Sequence, residues 1–487
     1  MTMSVAAPAI QSGSPLRQIL RGSGWYGLSI AVGRVFPGLM TVILAWWLDP
    51  RELGVISFVL AYYSLLLGVA DWSITYSLQK LIPENIEQAG RIGWTALFVR
   101  LGSSTVLGLL CWGLDAATGV LHGYGVYLAL LLVASSFGTI VYVHNARCRF
   151  AFGSLFSIAF QAGWVAIALV LVKAGMRITG PLLALCISFA AAGIPGFLLS
   201  PALRGNVAFL RSAAKEILHF GLWATLATLL GTFADQVGVL VVAYTNGDAA
   251  AGVFKVATTF GMLPALLGMV VALPLMPVAK QGLLNGENIS VTLVRPIVRY
   301  LLLLGLPIAA AGFVLAPAVI RTFVRDSYLG AVWPLRILLV ANVLRTVVAA
   351  LSGILFVGEG VKKLAKIQGS VAAVAVIGSV SLARSGGATG VALALLTAWA
   401  FGLVHLYLWF ERRTPLQLEW GKYLRYAGSA AVAAGITFLA GRLLGAGVEQ
   451  FVTGGCVAGF AYAFLLWMQR DLAFQNLARL VRGWVAG

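Results

Sequence analysis

Charge is scarce in this sequence: Lys, Arg, Asp and Glu make up 10% of 487 residues, against 60% hydrophobic ones. No soluble domain can cover such a composition with a polar surface, so the solvent around most of the chain is lipid. Convergent metal or redox chemistry is missing as well. Cys111, Cys148, Cys186 and Cys456 stand in or near apolar runs without CxxC spacing, and His122, His144, His219 and His405 are dispersed. Packing roles suit them, because a metal site needs ligands that converge. There is no GxxxxGK[ST], GxSxG or HExxH motif and no loop long enough to hold an active-site domain. We therefore expect neither ATP hydrolysis nor other catalysis, and no cofactor. Polar–apolar alternation is absent too, which excludes a transmembrane barrel. Residues 1–24 lack the short apolar core and cleavage site of a secretory signal, so the N-terminus is expected to stay in the cytoplasm.

What is present is a succession of long apolar runs. They fall at 26–48, 53–77, 92–114, 121–144, 155–172, 179–200, 220–245, 251–277, 298–320, 331–357, 365–383, 388–410, 424–446 and 452–468. Each is long enough to cross a bilayer as a helix, which predicts an all-α polytopic membrane protein of about 14 transmembrane helices. The net charge of +18 then needs no nucleic acid, because it follows topology. With the N-terminus inside, twenty-two of the 34 Lys and Arg residues fall on the cytoplasmic side, seven on the other and five within spans. That asymmetry predicts both termini in the cytoplasm. The segments Ser14 to Gly24 and Asp471 to Trp484 mix Arg with Leu, Phe and Trp, as either interfacial amphipathic helices or simple end-caps of the adjacent spans.

An internal repeat divides the chain. LGVISFVLAYYSL around Gly54 parallels AGVFKVATTFGML around Gly252, and GPLLALCISFAA from Gly180 parallels GVALALLTAWAF from Gly390. The division is a cytoplasmic N-terminus at 1–25, an N-lobe of six spans at 26–200, an inter-lobe linker at 201–219 and a C-lobe of six spans at 220–410. Two further spans at 411–468 and an amphipathic tail at 469–487 complete it. Two pseudo-symmetric six-helix lobes enclose a cavity, as in transporters built from parallel repeats.

Charges inside spans are costly unless they face a polar interior, so they mark function by default. Arg34, Arg100, Lys255, Arg336 and Arg345 stand there with Asp71 and Asp235. Arg34 and Asp71 either pair or face one cavity. Asp235 either binds a coupling cation or proton, or pairs with Lys255. Arg336 and Arg345 are nine residues apart, about two and a half turns, so at most one faces the cavity. Arg345 has the more apolar flank, whereas Arg336 and Arg100 can snorkel to an interface. Pro37, Pro264, Pro274, Pro277 and Pro307 are either hinges or tolerated breaks. A cavity with more basic than acidic groups suits phosphate, which guanidinium binds bidentately.

Six patterns in order carry a family resemblance: the basic start leading to Gly33 and Arg34, LDPRELGVISF (Leu48 to Phe58), GVADWSI (Gly68 to Ile74), AKEILHFG (Ala214 to Gly221) leading to Asp235, AGVFKVATTF (Ala251 to Phe260) leading to Pro277, and RDSYLGAVWPLRILL (Arg325 to Leu339). Together they resemble the polysaccharide-exporter (Wzx-like) branch of the MOP flippase superfamily. Gln236 and Val237 depart from it, since relatives often carry a basic residue after the acidic one. The resemblance implies alternating access and flipping of an undecaprenyl-diphosphate-linked oligosaccharide to the periplasmic leaflet. Arg34, Lys255, Arg345 and Arg100 are then the expected contacts to the anionic glycan lipid, with Asp71 and Asp235 as coupling or ion-pair residues. Expected partners are the bilayer, a polysaccharide polymerase and glycosyltransferases, with H+, Na+ or the membrane potential as the driving force. A lipid II flippase, a multidrug cation antiporter and a membrane glycosyltransferase are the alternatives.

Overall fold

The structure is a computed structural model, and it describes residues 32–33, 35–72, 74–147, 149–200, 203, 207–220, 222–268, 290–357, 360–412, 418–443 and 448–475. These are almost entirely helical, with no strand among them. The helices are α1 (Val35–Trp47), α2 (Pro50–Asp71), α3 (Ile74–Glu84), α4 (Ala89–Thr118), α5 (Gly125–Ser135), α6 (Thr139–Ala146), α7 (Phe150–Lys173) and α8 (Thr179–Leu199). After them come α9 (Arg211–Phe220), α10 (Leu222–Asn246), α11 (Asp248–Gly261), α12 (Arg295–Phe323), α13 (Val332–Val357), α14 (Val361–Glu411), α15 (Trp420–Leu443) and α16 (Val448–Met468). Ten stretches among the described residues are long and apolar enough to cross a membrane. Each of the fourteen expected runs meets helix, in whole or in part. The expected interfacial segment Ser14 to Gly24 lies outside the described residues, as do Pro274 and Pro277.

Local chemistry sets the ends. Asp49 caps α2 through a capping box, in which its carboxylate accepts from the Glu52 N–H at 2.8 Å while the Glu52 carboxylate accepts from the Asp49 N–H at 3.1 Å. Pro50 in the first turn needs no donor there. The run expected at 53–77 is not one helix. Trp72 turns left-handed at φ 42°, closing α2, and its indole N–H donates to Leu218 O at 2.8 Å. The run expected from 121 begins instead at Gly125, because Gly119, His122 and Gly123 have positive φ and form a turn. Buried Asp115 ties that turn down by accepting from the N–H groups of Leu121 and Gly125. The α14 stretch is a hairpin: Gly387, at φ 53° and ψ −140°, reverses the chain. Gly378 then lies against Ala394, and Gly390 against Leu382 of the other arm.

Packing partners segregate. In the first half α4 packs on α5, α7 on α8 and α3 on α6; in the second, α10 and α13 pack on α14, and α12 on α13, with α15 and α16 both against α12. Within the expected linker, α9 docks on α3 and α4, with Lys80 and Glu216 paired at 3.1 Å.

The halves meet through α2, which packs on both α10 and α11. At the end bearing the Asp49 and Gly247 turns the contact is backbone on backbone. A Cβ on Gly54 would stand 1.8 Å from Asp248 O, and one on Gly252 would stand 2.0 Å from Pro50 O. Glycine is required at both positions, since any side chain would hold the helices apart. The contact is reciprocal: Pro50 and Gly54 face Asp248 and Gly252, and the interval from Pro50 to Asp248 is the one from Gly54 to Gly252 that relates the repeated segments. Around it, Trp46 donates to Phe323 O at 2.8 Å, Tyr328 donates to Leu48 O at 3.3 Å, and the Tyr62 and Tyr244 hydroxyls share a hydrogen bond.

Candidate functional site

A cavity of about 390 Å³ lies between the halves. Seven helices line it. From the first half come Gly33, Pro37, Gly38 and Thr41 at α1, Tyr63 and Ser64 of α2, Gln161 and Trp164 of α7, and Phe189 of α8. From the second come Asp235 and Gln236 of α10, Lys255, Thr258 and Thr259 of α11, and Arg345 of α13.

Of the charges singled out within spans, the cavity gathers three, Asp235, Lys255 and Arg345. Arg345 Nη2 donates to Asp235 Oδ2 at 2.5 Å, and the two side chains are 14% and 25% exposed. Asp235 therefore pairs with Arg345 and not with Lys255. The Arg345 guanidinium also lies 5.3 Å from the centroid of the Trp399 ring and reaches Asn342 Oδ1 at 3.4 Å. An aromatic face, a carboxylate and an amide thus hold it in one orientation, the arrangement that favours a desolvated guanidinium. Lys255 has no carboxylate within 4 Å among the described residues, and its backbone carbonyl accepts from the Thr258 and Thr259 hydroxyls. One carboxylate against two cations leaves the described lining with a net positive charge.

Arg336 and Arg345 are separated as their spacing required. Arg336 donates to Phe313 O at 3.0 Å and lies over the Trp333 and Phe313 rings, away from the cavity. Arg100, expected among the substrate contacts, is not in the lining. Its guanidinium is 3% exposed and lies 3.2 Å from Asp71, 3.2 Å from the Thr139 hydroxyl and over the Tyr142 ring. It is buried where α2, α4 and α6 meet. Asp71 thus pairs with Arg100. Arg34 lies outside the described residues, although its neighbour Gly33 lines the cavity.

Sequence reasoning missed Gln161 and Trp164 of the lining. Gln161 Oε1 is buried and has no hydrogen-bond partner among the described residues, and such an atom marks a place where a ligand or water completes the bonding. Trp164 donates its indole N–H to Pro181 O at 2.9 Å and presents its ring to the cavity. Neither residue is charged, so neither broke the hydropathy pattern.

Helices from both halves surround one polar cavity, and the fold they make is that of solved MOP superfamily transporters. The family model described as "Polysaccharide biosynthesis protein" matches residues 43–333, and the chain belongs to that family. Among curated proteins none matches the sequence. Among solved structures, the chain is similar to the lipid II flippase MurJ in an inward closed conformation, at a TM-score of 0.69 and 14% identity, covering 92% of this chain and 99% of that one. A MOP superfamily transporter from Pyrococcus furiosus is similar at a TM-score of 0.57 and 17% identity, covering 82% and 96%. An outward-facing multidrug resistance MATE transporter is similar at 0.56 and 18% identity, covering 83% and 96%. At these identities the likeness is one of fold.

Proposed function

We propose that this protein flips an undecaprenyl-diphosphate-linked oligosaccharide from the cytoplasmic to the periplasmic leaflet by alternating access, and that it is not an enzyme. The observation that carries the reading is the cavity's cationic bias: Lys255 without an acidic partner among the described residues, and Arg345 held toward the same space by Asp235 and Trp399. A diphosphate provides the oxygens that such groups bind. Gln161, Gln236, Thr258 and Thr259 add neutral donors and acceptors suited to sugar hydroxyls. Membership of the polysaccharide biosynthesis family supports the glycan part of the reading. With the basic loops inside, the reciprocal contact of Gly54 and Gly252 lies on the periplasmic side, and the cavity is closed toward the periplasm. Opening that seam while the opposite end closes is the exchange of access that flipping requires.

The test uses a strain lacking the chromosomal copy. Lys255→Gln should abolish surface polysaccharide while the protein remains in the membrane at normal level. Normal export by that variant sinks the assignment. Rescue of a strain depleted of its lipid II flippase would move the substrate to the peptidoglycan precursor.

A further inference from the structure

A second polar cavity lies away from the first, between the two arms of the α14 hairpin. It measures about 380 Å³ and is lined by Lys363 from the start of the first arm and by His405, Leu408, Trp409 and Arg412 from the end of the second. Lys363 and Arg412 are both exposed, and no acidic residue is in the lining. Lys362 stands beside them with its ammonium 5.4 Å from the Trp223 ring centroid. His405 is positioned by Ser370, whose hydroxyl lies 3.1 Å from its Nδ1. Farther along the second arm Phe401, Val404 and Leu408 are 45%, 55% and 48% exposed, as a lipid-facing helix requires.

The first half holds a counterpart. A cavity of about 320 Å³ lies among α6, α7 and α8, lined by residues that include His144, Arg149, Pro195, Leu199 and Ser200. The interval that relates Gly180 to Gly390 in the repeat also carries Pro195 to His405 and Leu199 to Trp409. It likewise carries Gly153 to Lys363. Corresponding places in the two halves thus hold cavities, and at the two lining positions that correspond, proline and leucine in the first are histidine and tryptophan in the second. Both cavities carry basic groups, Arg149 and His144 in the first and Lys363, His405 and Arg412 in the second, and the second adds the Trp409 indole.

We infer that the α14 cavity binds the phosphate of an anionic phospholipid, held by Lys363 and Arg412 with the glycerol region against Trp409 and the acyl chains along Phe401, Val404 and Leu408. Two exposed cations at the mouth match a phosphodiester, and the apolar strip beginning at the cavity leads away from it along one helix. A soluble anion would use the cations alone, whereas a phospholipid would use both the cations and the strip that adjoins them. Basic pockets at a membrane's cytoplasmic face collect anionic headgroups in this way. The site is separate from the translocation cavity and stands whether or not that cavity carries a glycan lipid.

The experiment places purified full-length protein in nanodiscs of phosphatidylcholine doped with brominated phosphatidylglycerol or brominated phosphatidylcholine, without polyprenyl lipid. Bromine quenches tryptophan on contact, and subtracting the spectrum of Trp409→Phe isolates the indole in the site. Brominated phosphatidylglycerol should quench Trp409 at lower mole fraction than the phosphatidylcholine analogue. The preference should fall about tenfold or more in Lys363→Gln/Arg412→Gln and persist in Lys363→Arg. Equal quenching by the two lipids overturns the proposal, and this comparison needs only the wild type and Trp409→Phe. Relief of quenching by millimolar inorganic phosphate would show a soluble-anion site and overturn the lipid assignment.

Discussion

Replacing Gly252 by alanine should loosen the seam that joins the two halves at the Asp49 end. The added Cβ would stand 2.0 Å from Pro50 O, whereas ordinary contact begins near 3.4 Å, so α2 and α11 must part by the difference. At Gly54 the overlap is deeper still, since a Cβ there would stand 1.8 Å from Asp248 O. Backbone atoms on both sides leave no flexible side chain to yield. Overpacking of this kind costs typically about 1–3 kcal/mol. If that cost falls only on the conformation with the seam closed, the equilibrium shifts about fivefold to about a hundredfold toward the one with it open. Spin labels at Thr118 and Ser385, exposed near that end of the first and second halves, report the separation, in a background with the native cysteines replaced. Pulsed dipolar spectroscopy should give a distribution moved to longer distance in Gly252→Ala and in Gly54→Ala. Gly102→Ala, where nothing lies within 4 Å, should leave it unchanged. An unshifted distribution in both seam variants, with normal transport, refutes the idea that this contact is the closed gate.

The buried pairs make further predictions. Arg345→Gln removes the guanidinium that Asp235 accepts from and should lower stability, while Arg345→Gln/Asp235→Asn recovers part of it, as thermal unfolding in detergent would register. Asp71→Asn and Arg100→Gln should behave the same way in stability, yet the double variant should still transport, because that pair stands outside the cavity; loss of transport by a stable double variant would make the pair functional. At the start of the tail, Asp471 is pulled up by burial, but the Phe474 N–H, the Tyr426 hydroxyl and the Arg299 guanidinium outweigh that and hold its carboxyl below the usual range. Its contribution is therefore present above the ordinary carboxylate pKa of about 4 and lost only as pH falls below it. Hydrogen exchange around residues 466–475 should stay slow down to about pH 4 and rise below that, whereas Arg299→Gln should bring the onset to higher pH.

Much of the fold was legible because lipid imposes one rule, a helix wherever the chain is apolar for long enough. The same rule hid the interruptions. Trp72 and Gly119 lie in or beside apolar sequence, and what breaks the helix there is backbone conformation and a tertiary hydrogen bond, neither of which changes hydropathy. The repeat words around Gly54 and Gly252 were visible as similarity, but their meaning was not: each glycine touches the other's helix, and only three dimensions bring segments so far apart in the chain into contact. Charge inside a span marked Asp235, Lys255 and Arg345, which line one cavity, and it marked Arg100 by the same signal. Sequence could not divide them, since a paired guanidinium in a lobe and an available one in a cavity have equally apolar neighbours. Gln161 and Trp164 carried no such signal.

The central claim is that the cavity's cations carry a lipid-linked glycan across the bilayer, and reconstitution tests it most directly. Purified protein is placed in liposomes whose undecaprenyl-diphosphate-linked oligosaccharide bears a fluorophore on the sugar, and a membrane-impermeant quencher reports the leaflet. Wild type should equilibrate the fluorophore between leaflets while Lys255→Gln, folded and inserted to the same extent, leaves it where it began. Equal flipping by wild type and Lys255→Gln, or none by wild type under an imposed proton, sodium or potential gradient, would contradict the account.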